Sequence, residues 1–268
     1  MSLGTLFDTI VLGLVEGFTE FLPVSSTGHL ILARELLGSE PPPGFLIIIQ
    51  LGAILAVCVL YIRKLLAVLV GAPTDPAARR FIFNLILAFV PAGIVGLLTG
   101  GLIERVVESS TGPWVVSATL ILGGLAILLI ERVRPPPVHH DVDRLPARTA
   151  LQIGCAQVAA LIPGVSRAGA TIMGALLFKV DRRVATEFSF FLAIPTMFAA
   201  TLYSLYKNRH ALSADDMGVI GLGFVVAFLS ALVVVRALIA FISRHGFAPF
   251  AWYRLLVGAL MLGLLIAR

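Results

Sequence analysis

The chain has 268 residues, of which 59% are hydrophobic and 13% charged, and its mean hydropathy is +1.01. Such values lie outside the range of water-soluble domains and describe a polytopic membrane protein. The net charge of +5 does not indicate nucleic acid as a partner, because the basic residues sit between apolar segments rather than on one soluble face. Continuous apolar runs also argue against the short alternating segments of a β-barrel.

Residues 3–22 read as a first helix. Asp8 precedes its apolar run and no basic lead or small-residue cleavage site accompanies it, so the segment is expected to stay in the protein. Pro23 breaks the helix, because proline lacks the amide proton and clashes with the preceding turn. Ser25 or Ser26 then caps a short helix over 27–37, which ends near Gly38 and Pro41-Pro42-Pro43. Two helices meeting at a polar break read as a re-entrant hairpin, whose irregular backbone is tolerated at depth only inside protein or beside a water-filled cavity.

Spanning helices are expected over 44–62, closed by Arg63-Lys64, over 81–100, kinked by Pro91, and, after a loop with Glu104 and Glu108, over 114–131. The polar segment 135–148 divides the chain. A second broken segment follows, 149–162, interrupted by Pro163-Gly164 and continued by a short helix over 166–178. Helices over 184–206, 217–243 and 249–267 complete the chain. The expected fold is all-α and polytopic, a single membrane domain over 1–268. It consists of two inverted-topology repeats, about 1–134 and 149–268, each opening with a broken re-entrant hairpin, with about six full transmembrane helices plus two re-entrant pairs.

If each hairpin returns to its starting face, Arg63, Lys64, Arg79, Arg80, Arg132, Arg134, Arg144, Arg148, Lys179, Arg182, Arg183, Arg244 and Arg254 share one face. Arg34, Arg105, Lys207, Arg209 and Arg268 share the other. The positive-inside rule makes the first face cytoplasmic and puts both termini outside. Cys58 and Cys155 lie in apolar stretches without metal-ligand spacing and are expected to be small buried hydrophobes.

The stretch EGFTEFLPVSSTGH, Glu16 to His29, concentrates ionisable groups in hydrocarbon, where each costs about 2.5–3.5 kcal/mol and is usually kept for function. Glu16 and Glu20 lie four apart on one helical face, where they can share a cation or a proton. Paired carboxylates suit Mg²⁺ or Ca²⁺, hard ions that take oxygen ligands and often share them with phosphates. Ser25, Ser26 and Thr27 follow at the break. His29, near Ser26, has the chemistry of a general acid, base or nucleophile, whereas His139, His140, His210 and His245 fall in loops.

The second break, PGVSRAGAT, reads as an anion site. Gly164 and Gly169 let backbone amides approach closely, the helix start after Ser166 presents unpaired N–H groups, and Arg167 adds a planar fork suited to phosphate oxygens. Thr171 completes the segment. The two breaks align, pairing Leu22-Pro23 with Ile162-Pro163 and Ser26 with Ser166; Glu16 matches Gln157 only after one residue of slippage. Internal similarity of this kind points to a midplane site at the repeat interface.

EGFTEFLPVSSTGH together with PGVSRAGAT, and the later EFSFFLAIP after Asp181-Arg182-Arg183, closely resemble the undecaprenyl-diphosphate phosphatase family of the bacitracin-resistance type. The likeness covers nearly the whole chain, with Ala168 standing where the family usually has serine. It implies an integral membrane hydrolase of the bacterial cytoplasmic membrane that converts undecaprenyl diphosphate, a prenyl diphosphate lipid drawn from the bilayer, to the monophosphate carrier of cell-wall synthesis. It also implies dependence on a divalent cation and a site reached from the outer face. The family's glutamates fall on Glu16 and Glu20, its serine and histidine on Ser26 and His29, and its second motif on Ser166, Arg167 and Thr171.

In that reading Glu16 and Glu20 hold Mg²⁺ or Ca²⁺ against the diphosphate while Arg167 and the amides near Ser166 neutralise charge. Ser26, His29 and a metal-bound water all remain as nucleophile, with Ser26 assisted by His29 the reading carried forward. The role of Glu187 and the oligomeric state, a homo-oligomer included, stay open. The same architecture also suits a secondary transporter or lipid flippase. SSTGH further resembles the box of histidine-nucleophile lipid phosphatases, but no histidine with an aspartate four residues on follows Ser166-Arg167.

Overall fold

The computed structural model describes residues 3–207 and 216–267, the side chains of Glu104 and Glu108 excepted. Eleven α-helices make up the described chain: α1 Leu3–Thr19, α2 Ser26–Leu37, α3 Phe45–Leu60, α4 Ile62–Gly71, α5 Pro76–Glu108, α6 Gly112–Val133, α7 Ala147–Gln157, α8 Arg167–Leu177, α9 Arg182–Lys207, α10 Met217–His245 and α11 Ala248–Ile266. Five of them, α5, α6, α9, α10 and α11, are long and apolar enough to cross a bilayer alone, and α3 with α4 adds a sixth span bent by 73°. The chain is a multi-pass membrane protein.

The helices α2, α7 and α8 have 12, 11 and 11 residues, or about 17 Å each at 1.5 Å per residue, half of the hydrocarbon thickness. Paired as α1/α2 and α7/α8 around the two breaks, they form the hairpins expected from the prolines. Both α2 and α8 begin in the same unusual way. Ser25 caps α2 at φ 72°, its hydroxyl accepting from the Gly28 amide, and Ser166 caps α8 at φ 78°, its hydroxyl accepting from the Gly169 amide. Positive φ on a non-glycine residue costs of order 1–3 kcal/mol and persists only where the surroundings enforce it.

These caps correct the repeat register. Ser166 is the counterpart of Ser25, one residue before the Ser26 chosen by aligning the prolines, and the same register pairs Glu16 with Gln157, Gly13 with Gly154 and Gly28 with Gly169 without slippage. The proline alignment fails because the breaks differ in shape: residues 20–24 are turns, whereas 158–161 form a 3₁₀ turn before the second break. Packing follows the repeat. Helix α1 lies on α10 as α7 lies on α5, and α6 lies against α11. A Cβ added at Gly13 would meet the Gly223 carbonyl at 2.9 Å and one at Gly154 the Ala88 carbonyl at 2.3 Å. Small residues permit this approach, which matters in lipid because apolar burial does not drive helices together there.

Several sequence expectations change. Helix α4 replaces the loop expected after Arg63-Lys64, since Leu66, Leu69 and Val70 expose an apolar face beside charged residues. Helix α5 starts at Pro76, capped by the Asp75 carboxylate on the Ala77 amide, and continues past Pro91 to Glu108, so Glu104 and Glu108 lie in a helix rather than a loop. Cys155 is exposed on α7 and Cys58 only half-buried. Arg254, counted among the charges of one face, is 1% exposed inside the protein. Arg209, His210 and Arg268 fall outside the described residues.

The polar segment 135–148 is docked on the protein. His139 pairs with Val180, Lys64 meets Asp143 at 2.9 Å, and Asn84 donates to the Leu145 carbonyl at 2.8 Å. Next to it, Glu131 ties Arg134, Arg182 and the Phe247 amide together.

Close packing of α1 on α10 generates a prediction. A Cβ at Gly17 would lie 2.0 Å from Ser230 Oγ and 2.4 Å from the Ala227 carbonyl, whereas nothing lies within 4 Å of one at Gly100. Gly17→Val therefore destabilises by about 1–3 kcal/mol. In detergent it should unfold at lower temperature than Gly100→Val; equal melting temperatures contradict the packing.

Candidate active site

The two hairpins meet tip to tip, and Glu20 stands where they meet. Its backbone N–H still donates to the Glu16 carbonyl at 3.0 Å, so the carboxylate is held one turn beyond Glu16, just before the Pro23 break. Glu20 Oε2 accepts from Ser26 Oγ at 2.6 Å. Glu20 Oε1 accepts from Arg167 Nη2 at 3.3 Å. Ser26 and Arg167 are the first residues of α2 and α8 and occupy equivalent places in the two repeats. One carboxylate thus joins the halves of the protein. Leu22 and Ser166 add a second link, the Ser166 hydroxyl reaching the Leu22 carbonyl at 3.5 Å.

Arg167 is further fixed by Ser189, to whose carbonyl and hydroxyl Nη1 donates at 2.9 and 3.2 Å, and its guanidinium lies 5.7 Å above the Phe21 ring. Phe21 packs edge-on against Phe190. Thr171, fully buried, bonds the Ser189 hydroxyl at 2.7 Å. It therefore supports Arg167 through Ser189, itself fully enclosed by the protein. Ser189 went unassigned in the sequence, although it lies within the EFSFFLAIP segment.

His29 does not pair with Ser26. Its Nδ1 donates to the Ser25 carbonyl at 2.7 Å, which leaves Nε2 in the neutral ring to accept from the Tyr253 hydroxyl at 2.8 Å. The Tyr253 and His29 rings are stacked, with centroids 5.4 Å apart. Tyr253 is half exposed on α11, far away in sequence, and no motif marked it. Ser25, Ser166 and Gly169 serve the caps already described, and Gly164, at φ 87°, has no room for a Cβ against Thr119. Thr27 is exposed in the first turn of α2. Glu187 belongs elsewhere: it pairs with Arg183 at 3.1 Å, beside a cavity that Lys64, His140, Asp141 and Asp143 also line.

Two buried polar atoms of this cluster have no partner, Glu16 Oε1 and Arg167 Nε. Orphaned buried groups are rare in native proteins, and strain, a catalytic role, a water or an ion accounts for them. Here one is an acceptor suited to a cation and the other a donor suited to an anion. Among the described residues no group of three or more His, Cys, Asp and Glu side chains converges.

Residues 9–260 match the family described as bacitracin resistance protein BacA. The chain belongs to the BacA family. Similar relatives include undecaprenyl-diphosphatase 2 of Paramagnetospirillum magneticum, 52% identical over 98% of this chain and 100% of the relative. Undecaprenyl-diphosphatase 2 of Rhodospirillum rubrum is 53% identical over 98% of this chain and 96% of its own. Undecaprenyl-diphosphatase of Cereibacter sphaeroides is 48% identical over 99% of both chains. The resemblance drawn from the two break motifs is thereby borne out.

The strained caps carry a prediction for this BacA-family chain. Ser25→Gly loses a cap bond worth a few tenths of a kcal/mol but relieves a positive φ costing about 1 kcal/mol or more. Its melting temperature should rise above the wild-type value; a fall would mean that the turn is not strained.

Proposed function

We infer that this chain is an integral membrane phosphatase that hydrolyses undecaprenyl diphosphate to undecaprenyl phosphate and inorganic phosphate, recycling the lipid carrier of cell-wall synthesis. The observation that carries the reading is the convergence of Ser26 and Arg167 on Glu20. It occurs in a chain about half identical, along nearly its whole length, to proteins named undecaprenyl-diphosphatase.

Ser26 Oγ, already donating to Glu20, attacks the terminal phosphorus as its proton passes to Glu20. The bond from that phosphorus to the bridging oxygen breaks and undecaprenyl phosphate leaves. Water then hydrolyses the phosphoseryl group and restores the serine. Phosphoryl transfer depends mainly on positioning and on stabilising charge. Arg167 supplies that charge, its free Nε donating to a phosphate oxygen, and the unpaired N–H groups at the start of α8 add to it. His29, in the Nδ1–H tautomer, orders the N-terminal turn of α2 that presents Ser26.

A divalent cation, Mg²⁺ or Ca²⁺, fits the orphaned oxygen of Glu16, with Glu20 beside it. Two carboxylates with no third ligand suit an ion that takes the rest of its oxygens from diphosphate and water. When bound it supplies positive charge against the diphosphate. The site faces the outside of the cytoplasmic membrane, with both termini on that side. The positive-inside count supports this even without Arg254, since Arg63, Lys64, Arg79, Arg80, Arg132, Arg134, Arg144, Arg148, Lys179, Arg182, Arg183 and Arg244 remain on the other face.

The test is phosphate release from undecaprenyl diphosphate by purified protein in detergent, with and without chelator. Glu20→Ala, Ser26→Ala and Arg167→Ala should each lose about 100-fold or more in turnover per folded molecule, Glu20→Ala and Arg167→Ala also melting at lower temperature because each leaves a buried charge unpaired, and Glu16→Ala should need more cation. Full turnover by folded Glu20→Ala or Arg167→Ala contradicts the assignment, and insensitivity to chelator removes the cation.

A further inference from the structure

Arg254 comes from α11 and is, among the described residues, the largest side chain fully enclosed by the protein. Its guanidinium donates five hydrogen bonds, all to backbone carbonyls. Nη1 reaches Pro23 at 3.2 Å and Val165 at 2.9 Å. Nη2 reaches Gly164 at 3.0 Å and Thr119 at 2.9 Å, and Nε reaches Leu120 at 3.3 Å. Among the described residues no carboxylate forms an ion pair with it. A buried charge without a counter-ion is expensive, and one at membrane depth is by default functional.

The pattern of acceptors gives it a task. Pro23 belongs to the first break, Gly164 and Val165 to the second, and Thr119 and Leu120 to α6, so one rigid group spans both hairpin tips and their common support. Each tip leads directly into a strained cap, Ser25 at φ 72° and Ser166 at φ 78°. The carbonyl and N–H of a trans peptide point in opposite directions. Turning the Val165 carbonyl to Arg254 therefore turns the Ser166 amide away from it. We propose that Arg254 is a positioning residue for the phosphatase reaction inferred above: it locks the two hairpin tips at a fixed separation, and so sets Ser26 against Arg167 across Glu20. A lysine cannot replace it, because an ammonium is a point donor without the planar fork. Nor is there space to move, for a Cβ at Gly123 on α6 would lie 2.1 Å from Arg254 Nη2.

Wild-type protein, Arg254→Lys, Arg254→Gln and Gly123→Ala are compared in detergent. The measurements are kcat and KM for undecaprenyl diphosphate, melting temperature, and affinity for a non-hydrolysable methylene-bridged prenyl bisphosphonate. A misplacement of about 1 Å costs on the order of 100-fold in rate, so kcat of the folded Arg254→Lys protein should fall by that much, with KM and bisphosphonate affinity little changed. Gly123→Ala, which keeps the arginine but displaces it, should lower kcat in the same sense. A purely structural arginine would instead lower the melting temperature and leave kcat per folded molecule as in wild type, which overturns the proposal. If both Arg254 variants fail to fold, Gly123→Ala decides alone: a kcat loss at unchanged KM supports the positioning role, and wild-type kcat rejects it. Absence of phosphate release from the wild type would defeat the functional reading itself and is separate from any of these results.

Discussion

The contact on which the rest of the structure depends is the one between Glu20 and Arg167, an ion pair closed at 3.3 Å with both side chains almost hidden from solvent. In such surroundings the desolvation of two ions rivals their attraction, and removing one partner costs about 3–5 kcal/mol because the other is left uncompensated. The pair therefore imposes a demand on the whole chain. Two residues 147 apart in sequence must be delivered to the same depth from opposite repeats. The close helix contacts at Gly13, Gly17 and Gly154, the aromatic platform of Phe21 and Phe190, and the supports from Ser189 and Thr171 can all be understood as meeting it.

The same constraint explains why the helices break where they do. A continuous α1 would carry the residues after Glu20 onward along its axis, and a continuous α7 would leave Arg167 on a helix flank. Interrupting each helix at mid-depth turns the next helix start inward. That exposes unpaired N–H groups where lipid offers no partner, so the interruption is tolerable only where protein encloses it. Two broken helices facing each other provide that enclosure, and Glu20, Ser26 and Arg167 bond to one another between their tips. Glu16 Oε1 and Arg167 Nε are the buried polar atoms of this cluster that have no hydrogen-bond partner.

Much of this was legible in the sequence, for physical reasons that can be named. Spanning helices follow from long apolar runs, the hairpins from Pro23 and Pro163, and the site from carboxylates, serines and an arginine standing in hydrocarbon. The family likeness rested on those same residues. What stayed hidden has equally specific causes. Helix α4 mixes Arg63 and Lys64 with exposed leucines, which reads as a loop because its apolar face turns outward rather than into a core. The start of α5 is marked by Asp75 followed by Pro76, a capping residue before a first-turn proline, but Arg79 and Arg80 in its first turns keep the apolar run from beginning before 81. Ser189, Tyr253 and Arg254 could not be assigned locally. Their partners are supplied by other helices, in the case of Arg254 and Pro23 across 231 positions of chain, and a lone arginine near a helix start looks from sequence like an interfacial charge.

The corrected register between the repeats changes what the duplication means. With Ser25 matched to Ser166, the equivalents of Ser26, Glu20 and Glu16 are Arg167, Leu161 and Gln157. Each repeat thus contributes the same backbone device, a serine cap at positive φ followed by an inward-facing first helical residue, but the chemistry on that device has diverged. One copy carries the hydroxyl and two carboxylates. The other carries the guanidinium, and its Gln157 has turned to Thr196 at 3.4 Å, a neutral pair where the first repeat keeps a carboxylate. A symmetric site would have placed two like groups face to face on the axis, either two anions that repel or two cations without a counter-charge. Divergence at the first helical position, together with loss of the acids from one half, converts a repulsive two-fold into an attractive pair. The shared backbone still fixes the geometry, so a site can be asymmetric in charge while its scaffold stays nearly symmetric.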